Sequence, residues 1–168
     1  LKQLDMEDLG TVRKLFVKIF SQEPWNDRWD DPEQLRRYME ELLGAPNALC
    51  LGLFEDDVLV GISLGRIRHW YQGTEYWIDE LGIDPERQGM GAGRRFLELI
   101  DGDLRKREVA AVVLLTDRRV PAYRFYQKNG FTEQAGPLCE TFEMISRNAR
   151  RREPLQTAPA LFAFSGDR

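Results

Sequence analysis

The sequence predicts a single α/β domain built on a mixed, mostly antiparallel sheet with helices on both faces. Its 168 residues match the size of one ordinary domain, and 42% of them are hydrophobic, which supplies a core that needs neither disulfide nor metal. Periodicity and turn residues give the element order β-α-α-β-β-β-α-β-α-β-β. Three strands in succession predict an antiparallel meander, and the later strand–helix–strand unit predicts a parallel crossover.

The helices are marked by apolar residues at helical spacing and by capping residues. Asp5, with Asp8 three positions later, is a candidate N-cap for the first helix. Asp31 stands before a proline and begins the second helix, while Pro121 begins the fourth and Gly130 follows it as a left-handed cap. The predicted helices cover about residues 6–20, 32–43, 91–106 and 121–129.

The strands are apolar or alternating runs bounded by turn residues. An acidic turn at 55–57 and a Gln-Gly turn at 72–73 separate the members of the meander. The run 110–116 is apolar almost throughout, as in a strand that is buried on both faces. The predicted strands cover residues 1–5, 48–54, 58–69, 74–83, 110–116, a run from 131, and 138–145.

We assign residues 1–146 to this domain and residues 147–168 to an arginine-rich C-terminal extension. Four arginines lie between 147 and 152, ahead of the apolar residues Leu161, Phe162 and Phe164. The extension is expected to be partly ordered. A helix that docks on a partner subunit, or an anion contact, are the alternatives.

The net charge of −4 is unevenly distributed along the chain. The first 100 residues hold 19 acidic and 12 basic residues (−7), and the remainder holds 9 and 12 (+3). Nucleic-acid binding is disfavoured because it requires a basic field. An acidic front half suits a cationic small molecule, although scattered surface charge gives the same count.

Membrane, metal and hydrolase classes fit the sequence poorly. No apolar run approaches 18 residues and no leader peptide is recognisable, so no membrane span is expected. Cys50 and Cys139 lie far apart and His69 is the only histidine, a pattern that argues against a zinc site and against a nucleophile–histidine pair. A reducing cytoplasm is the simplest location for two unpaired cysteines.

A glycine-rich turn joins the last strand of the meander to the third helix. Glycines let a backbone turn tightly, and amides at a helix N-terminus form an anion site. Arg87, Arg94 and Arg95 add positive charge suited to phosphate. The spacing fits neither a dinucleotide-binding fingerprint nor a Walker A loop. The turn is therefore a phosphate site or, alternatively, a packing device; it comprises Gln88, Gly89, Met90, Gly91, Ala92 and Gly93.

Three stretches of the sequence resemble the GCN5-related N-acetyltransferase (GNAT) family. The first is its acetyl-CoA signature, Gln/Arg-x-x-Gly-x-Gly/Ala. The second is the preceding strand, hydrophobic-x-hydrophobic-x-Pro, and the third is the later stretch Ala-x-x-x-Tyr-x-x-x-Gly-Phe. In this chain the matching residues are, in the same order, Gln88, Gly91 and Gly93; Leu81, Ile83 and Pro85; and Ala122, Tyr126, Gly130 and Phe131.

The resemblance implies a splayed sheet, with acetyl-CoA bound where two strands separate and no metal required. The pantetheine arm would pair like an extra strand with the backbone of Leu81, Gly82 and Ile83. The pyrophosphate would lie on the amides of the glycine turn, within reach of Arg94. The family often has asparagine three residues before its alanine, where this chain has Arg119, a candidate cofactor contact.

The same resemblance implies an N-acetyltransferase that moves the acetyl group to a primary amine by direct attack in a ternary complex. The attack needs a neutral amine and a proton for the leaving thiolate. Tyr126 occupies the family's tyrosine position near the CoA sulfur, and a phenol carries its proton at pH 7. Tyr126 is therefore the candidate acid, with a packed core aromatic as the alternative.

Asp79 and Glu80 are the candidate carboxylates for the amine. The stretch from Ile78 to Leu81 resembles that of aminoglycoside 6′-N-acetyltransferases, in which an aspartate meets the acceptor. Alternation places the two carboxylates on opposite faces unless a bulge intervenes, with Asp79 on the face of Trp77 and Leu81. Asp79 is the preferred base or ammonium-orienting group and Glu80 the second choice; a solvated strand pair is the alternative.

The loop between the first two helices is the candidate acceptor site. It carries Glu23, Trp25 and Trp29 among several further acids, and aromatics with carboxylates suit a cationic amine. The tryptophans could instead pack the loop onto the core. We expect a small cationic acceptor, with a protein or peptide acetyltransferase and a non-catalytic acyl-CoA-binding regulator as alternatives. Neither nucleic acid nor membrane is an expected partner, and a homodimer is consistent with the family.

Overall fold

Four helices and seven strands occupy the part of the chain that this computed structural model describes, residues 1–134 and 142–146. Cys139 and the extension at 147–168 lie outside the described residues. The strands are β1 Lys2–Leu4, β2 Ala48–Glu55, β3 Val58–Trp70, β4 Gly73–Ile83, β5 Ala111–Thr116, β6 Phe131–Gln134 and β7 Phe142–Ser146. The helices are α1 Leu9–Phe20, α2 Pro32–Gly44, α3 Ala92–Lys106 and α4 Pro121–Lys128, with short 3-10 turns at Met6–Asp8 and Pro85–Arg87.

The predicted fold class is confirmed: one mixed sheet carries helices on both faces. Its strand order is β1-β2-β3-β4-β5-β7-β6, and every pair is antiparallel except β4 with β5. Asp5 and Asp8 form the predicted capping box, in which each side chain accepts a hydrogen bond from the backbone around the other. The box caps the first 3-10 turn, which leads directly into α1.

The two faces of the sheet bury separate apolar clusters. Helices α1 and α2 cover one face, where Phe16, Met39 and Leu64 are fully buried. The other face packs against α3 and α4, and its buried residues include Phe96 and Tyr126. A ligand that lies between the strands would therefore meet a different layer of helices on each side.

The sheet opens between β4 and β5. Their parallel register covers only Glu75–Ile78 against Ala111–Leu114. Beyond Ile78, β4 has no strand on this edge, and Glu80–Ile83 pairs with β3 alone. The other edge of β5 pairs with β7 along Val113–Thr116. The open edge of β4 leads directly to the glycine turn and α3. Among the described residues, no helix has the length and apolar character needed to cross a bilayer.

Candidate active site

A β-bulge interrupts the pairing of β3 with β4 where the open edge begins. Leu64 lies opposite Glu80 and Gly65 lies opposite Ile78, which leaves Asp79 as the extra residue. A Cβ at Gly65 would stand 2.2 Å from the Trp77 carbonyl oxygen, closer than any side chain tolerates. The absence of a side chain at Gly65 therefore permits the bulge.

The bulge overturns the predicted alternation of the two carboxylates. Ile78 and Leu81 pack against the α3 and α4 cluster, but Glu80 meets Tyr38 of α2 and Asp79 meets Arg66 of β3. Placing Asp79 on the face of Leu81 was thus wrong. Both carboxylates reach the side of the sheet that carries α1 and α2, because the extra residue resets the strand's period of two.

Glu80 is a partly buried carboxylate held by a tyrosine. The hydroxyl of Tyr38 donates a hydrogen bond to its Oε1 at 2.5 Å. Burial raises the pKa of Glu80 to about 7; the Tyr38 hydrogen bond opposes that rise, and the charges of Asp27 and Asp79 add to it. A carboxyl with such a pKa changes its charge near neutral pH, as a general base requires.

Asp79 has a different partner. The guanidinium of Arg66 donates to its Oδ2 at 3.1 Å. Burial raises the pKa of Asp79 above its usual range, and the Arg66 charge works in the opposite direction. Paired with a cation, Asp79 is better suited to orienting an ammonium group than to removing its proton.

Tyr126 lies on the opposite side of the cleft, in α4. It is only 7% exposed, and its ring packs at 5.5 Å from Phe125 and 5.4 Å from Phe131. Burial and then the charge of Glu80 raise its pKa above the ordinary value of a phenol. Tyr126 therefore packs as a core aromatic and also keeps its proton throughout the neutral range.

The glycine turn presents open backbone at the N-terminus of α3. Gly89 and Gly91 have φ values of +75° and +85°, which side chains rarely adopt, and a Cβ at either would have no neighbour within 4 Å. Conformation and not crowding therefore requires glycine at these two positions, which lie at the N-terminus of α3, where backbone amides suit an anion. Gln88 donates to the Ile83 carbonyl at 3.1 Å, which ties the turn to the open edge of β4.

The last glycine of the turn has a packing role. A Cβ at Gly93 would lie 3.2 Å from the ring of Phe125 and 3.7 Å from Ile83. Its absence lets α3 approach α4 and β4 closely. The packing interpretation of the glycine turn therefore holds for Gly93, and the phosphate-site interpretation stays a prediction for Gly89 and Gly91.

The two arginines among the candidate cofactor contacts, Arg94 and Arg119, are exposed and already paired with acids. Arg94 contacts Glu98 at 3.0 Å and its side chain remains 75% exposed. Arg119 binds Asp117, with a shortest contact of 2.6 Å, and is 86% exposed. Each guanidinium can turn toward an anion at little cost, because an exposed ion pair contributes only about 0–1 kcal/mol.

The loop between α1 and α2 borders a cavity of about 360 Å³. Trp29 lines this cavity and stacks on Tyr38 at 5.3 Å, and its indole Nε1 is buried without a hydrogen-bond partner among the described residues. Trp25 instead packs on Phe20 at 5.9 Å and, like the exposed Glu23, lies outside the lining. The lining residues are Asp27, Arg28, Trp29, Asp31 and Gln34.

Sequence reasoning missed two residues that shape this site, Tyr38 and Arg66. Tyr38 stands three residues after the buried Leu35 on α2, so helical periodicity alone assigns it to the core. Arg66 follows the bulge, which no local pattern announces. Asp27, by contrast, is one of the acids of the loop that the sequence assigned to the acceptor, and it lines the cavity.

Comparisons with known proteins identify the fold. The sequence profile of the acetyltransferase (GNAT) family matches residues 11–131, whereas a search of curated protein sequences finds no significant match. PaiA N-acetyltransferase from Thermoplasma acidophilum, in complex with coenzyme A, is similar with a TM-score of 0.64 and 19% identity, over 87% of this chain and 96% of that one.

The names of two further similar structures state the class of molecule that each enzyme acetylates. The ribosomal-protein-S18-alanine N-acetyltransferase from Escherichia coli has a TM-score of 0.67 and 18% identity, over 93% of this chain and 97% of that one. An aminoglycoside acetyltransferase from an uncultured soil metagenomic sample, in complex with sisomicin, has a TM-score of 0.63 and 19% identity, over 82% and 91%.

The profile match spans the bulge, the open edge of β4, the glycine turn and α4. These are the stretches on which the motif resemblance rested. The chain belongs to the GNAT family of acetyl-CoA-dependent acetyltransferases.

Proposed function

We propose that this enzyme transfers the acetyl group of acetyl-CoA to a primary amine of a small cationic molecule, by direct attack in a ternary complex. The observation that carries the proposal is the pair of carboxylates, Asp79 and Glu80, at the mouth of the opened sheet. Both lie on the side that carries the acidic α1–α2 loop. A cationic amine would be attracted to this side and would meet the thioester at the cleft.

Acetyl-CoA fits the residues on the other side of the cleft. The amides of residues 88–93 and the positive end of α3 suit its pyrophosphate, and Arg94 directly follows this turn in the sequence. Arg119, just before α4, is a further proposed contact to the cofactor. The backbone of Leu81, Gly82 and Ile83 has no strand partner on the β5 side and suits the amide-rich pantetheine arm. The thioester supplies the activated acyl group.

Glu80 is our proposed base, in preference to Asp79. Its pKa of about 7 lets it accept the proton that the amine loses as the nitrogen attacks the thioester carbonyl. Asp79, paired with Arg66, would orient the incoming ammonium group. As the carbon–nitrogen bond forms and the carbon–sulfur bond breaks, Tyr126 would donate its proton to the departing thiolate.

The acceptor class follows from the loop. Asp27 and Asp31 border the cavity beside Trp29, and their carboxylates suit the ammonium and hydroxyl groups of an acceptor. Hydroxylated polyamines of the aminoglycoside kind combine both features, and an aminoglycoside acetyltransferase is among the similar structures. A peptide N-terminus is the competing acceptor, since a ribosomal-protein acetyltransferase is also similar.

The buried thiol of Cys50 supports a reducing location. It is a free cysteine that donates weakly to the Leu42 carbonyl at 3.4 Å. We therefore propose that the enzyme works in the cytoplasm.

Release of CoA from acetyl-CoA tests this function. The panel contains aminoglycosides, linear polyamines and peptides with free N-termini. We expect release above the hydrolysis background with a polycationic small amine. Release with peptides alone would transfer the assignment to protein acetylation, and no release with any amine would contradict the proposal.

Two isosteric variants test the base. We expect Glu80→Gln to lower kcat/KM by about a hundredfold or more, as for loss of a general base. Asp79→Asn should instead raise KM for the amine with a smaller loss in kcat. If Asp79→Asn causes the larger loss in kcat, Asp79 is the base.

A further inference from the structure

We propose that Tyr38 is a positioning residue for the acetyl transfer: its hydroxyl holds the Glu80 carboxylate in place at the mouth of the cleft. This inference rests on the proposed function, because it concerns the group that we assign as base. Tyr38 itself belongs to α2, outside the three stretches that resemble the GNAT family.

The contact is short and directional. The Tyr38 hydroxyl donates to Glu80 Oε1 at 2.5 Å across 42 residues of sequence, and both side chains are partly buried. Burial and the carboxylates around it raise the pKa of Tyr38 far above its ordinary value. Tyr38 therefore remains a hydrogen-bond donor throughout the pH range in which Glu80 titrates.

The ring of Tyr38 is fixed independently of this hydrogen bond. Trp29 stacks on it with an interplanar angle of 17°, and Phe16 meets it edge-on at 5.9 Å. A donor fixed in this way costs little ordering when it binds a carboxylate. The packing also keeps the ring in position if the hydroxyl alone is removed.

The hydroxyl opposes the other influences on Glu80. Burial and the charges of Asp27 and Asp79 favour the protonated acid, whereas the Tyr38 hydrogen bond favours the carboxylate. Loss of the hydroxyl therefore shifts the protonation of Glu80 to higher pH. The titratable and charged groups around Glu80 are Tyr38 of α2, Asp27 of the loop, Asp79 of β4, Arg66 of β3 through Asp79, and Tyr126 of α4.

Tyr38→Phe tests the proposal, because it removes one oxygen and keeps the stacked ring. The first readout is the carboxyl ¹³C shift of Glu80 against pH, in enzyme labelled at glutamate and assigned by the signal that Glu80→Gln loses. We expect the titration midpoint in Tyr38→Phe to lie above that of the parent enzyme. An unchanged midpoint overturns the proposal, whatever the enzyme acetylates.

The second readout is kcat/KM against pH with one amine acceptor, so that amine ionisation is the same in both enzymes. A midpoint about one pH unit higher would make Tyr38→Phe about tenfold slower at pH 6 and nearly normal at pH 9. A deficit of constant size at every pH would indicate a merely structural role and would also overturn the proposal.

Tyr123→Phe is the matched control. Tyr123 donates to Glu133 at 2.8 Å, so this variant also removes a tyrosine–glutamate hydrogen bond, but away from Glu80. We expect its pH profile to follow that of the parent enzyme. A Glu80 midpoint that rises in Tyr38→Phe while the parent enzyme acetylates no amine would contradict the proposed function and leave the Tyr38–Glu80 pairing standing.

Discussion

The two halves of β4 differ in their neighbours and therefore in what they can do. The first half, Glu75–Ile78, is paired with β3 on one edge and with β5 on the other. It contributes the fully buried Tyr76, whose hydroxyl donates to the Ser63 carbonyl at 3.2 Å. The second half, Asp79–Ile83, is paired on one edge only and carries both carboxylates.

A single inserted residue separates these halves. The bulge at Asp79 turns two consecutive acidic side chains toward α1 and α2, just where the pairing with β5 ends. One strand thus serves as core at one end and as a ligand-binding edge at the other. Bulges commonly redirect side chains next to active sites in this way.

Gly65→Ala should break this division and is the largest effect we expect. Its Cβ would lie 2.2 Å from the Trp77 carbonyl oxygen, and backbone cannot move aside without changing the register. We expect acetyl transfer to fall to background and the free energy of unfolding to drop by about 3 kcal/mol. Urea denaturation and CoA release measure the two effects.

Gly102→Ala is the control for a generic effect of adding a methyl group. Gly102 lies within α3 and has no heavy atom within 4 Å of the added carbon. This variant should gain about 0.5–1 kcal/mol from helix propensity and keep full activity. A Gly65→Ala enzyme that remained active would show that the bulge is not required for the chemistry.

The sequence predicted features that depend on neighbouring residues in the chain better than it predicted the bulge. Helix caps such as Asp5 and Asp31, and the glycine turn, depend on neighbours in the chain, so local patterns found them. The bulge depends on a contact between Gly65 and Trp77 that forms only when two strands pair. Strict alternation was therefore wrong between Asp79 and Glu80, the two carboxylates of the candidate site.

The acceptor side illustrates the same limit. Trp29 was predicted either to bind substrate or to pack on the core, and it both lines the cavity and stacks on Tyr38. Tyr38 gave no signal, because a tyrosine on the buried face of a helix looks like any other core residue. The sequence predicted that this region carries aromatic and acidic side chains. Which of these side chains contact one another could be seen only in the folded structure.

Tyr126→Phe should have the next largest effect. It removes a hydroxyl beside the open cleft, and the same change at Tyr76 in the paired half of β4 provides the comparison. Removing the proposed proton donor should lower kcat by about a hundredfold, with little change in the KM for acetyl-CoA, because the ring that packs against Phe125 remains. Steady-state kinetics with varied acetyl-CoA separates the two parameters. An unchanged kcat would remove Tyr126 from the role of acid.

Tyr76→Phe is the same change made in the closed half. It leaves Ser63 without its buried partner, so we expect a loss of about 1 kcal/mol in stability and an unchanged kcat. Tyr126→Phe should thus change mainly kcat, and Tyr76→Phe should change mainly the free energy of unfolding. A catalytic loss in Tyr76→Phe would mean that the halves of β4 are not independent.

The open half of β4 also gives up stability, without loss of activity, by holding a buried carboxylate. The pKa of Glu80 is raised by burial from its ordinary value of 4.5 to about 7, so the folded state binds the proton more tightly than the unfolded state. Folding stability must therefore fall as pH rises from about 4.5 to about 7, by roughly 3 kcal/mol for this one group.

Glu80→Gln removes that loss while keeping an acceptor for the Tyr38 hydroxyl. The melting temperature of Glu80→Gln relative to the parent enzyme should therefore increase between pH 5 and pH 8, although the variant is catalytically impaired. If the difference in melting temperature between Glu80→Gln and the parent enzyme does not change with pH, folding does not raise the pKa of the Glu80 carboxyl. The open half of β4 would then gain its function without any cost in stability.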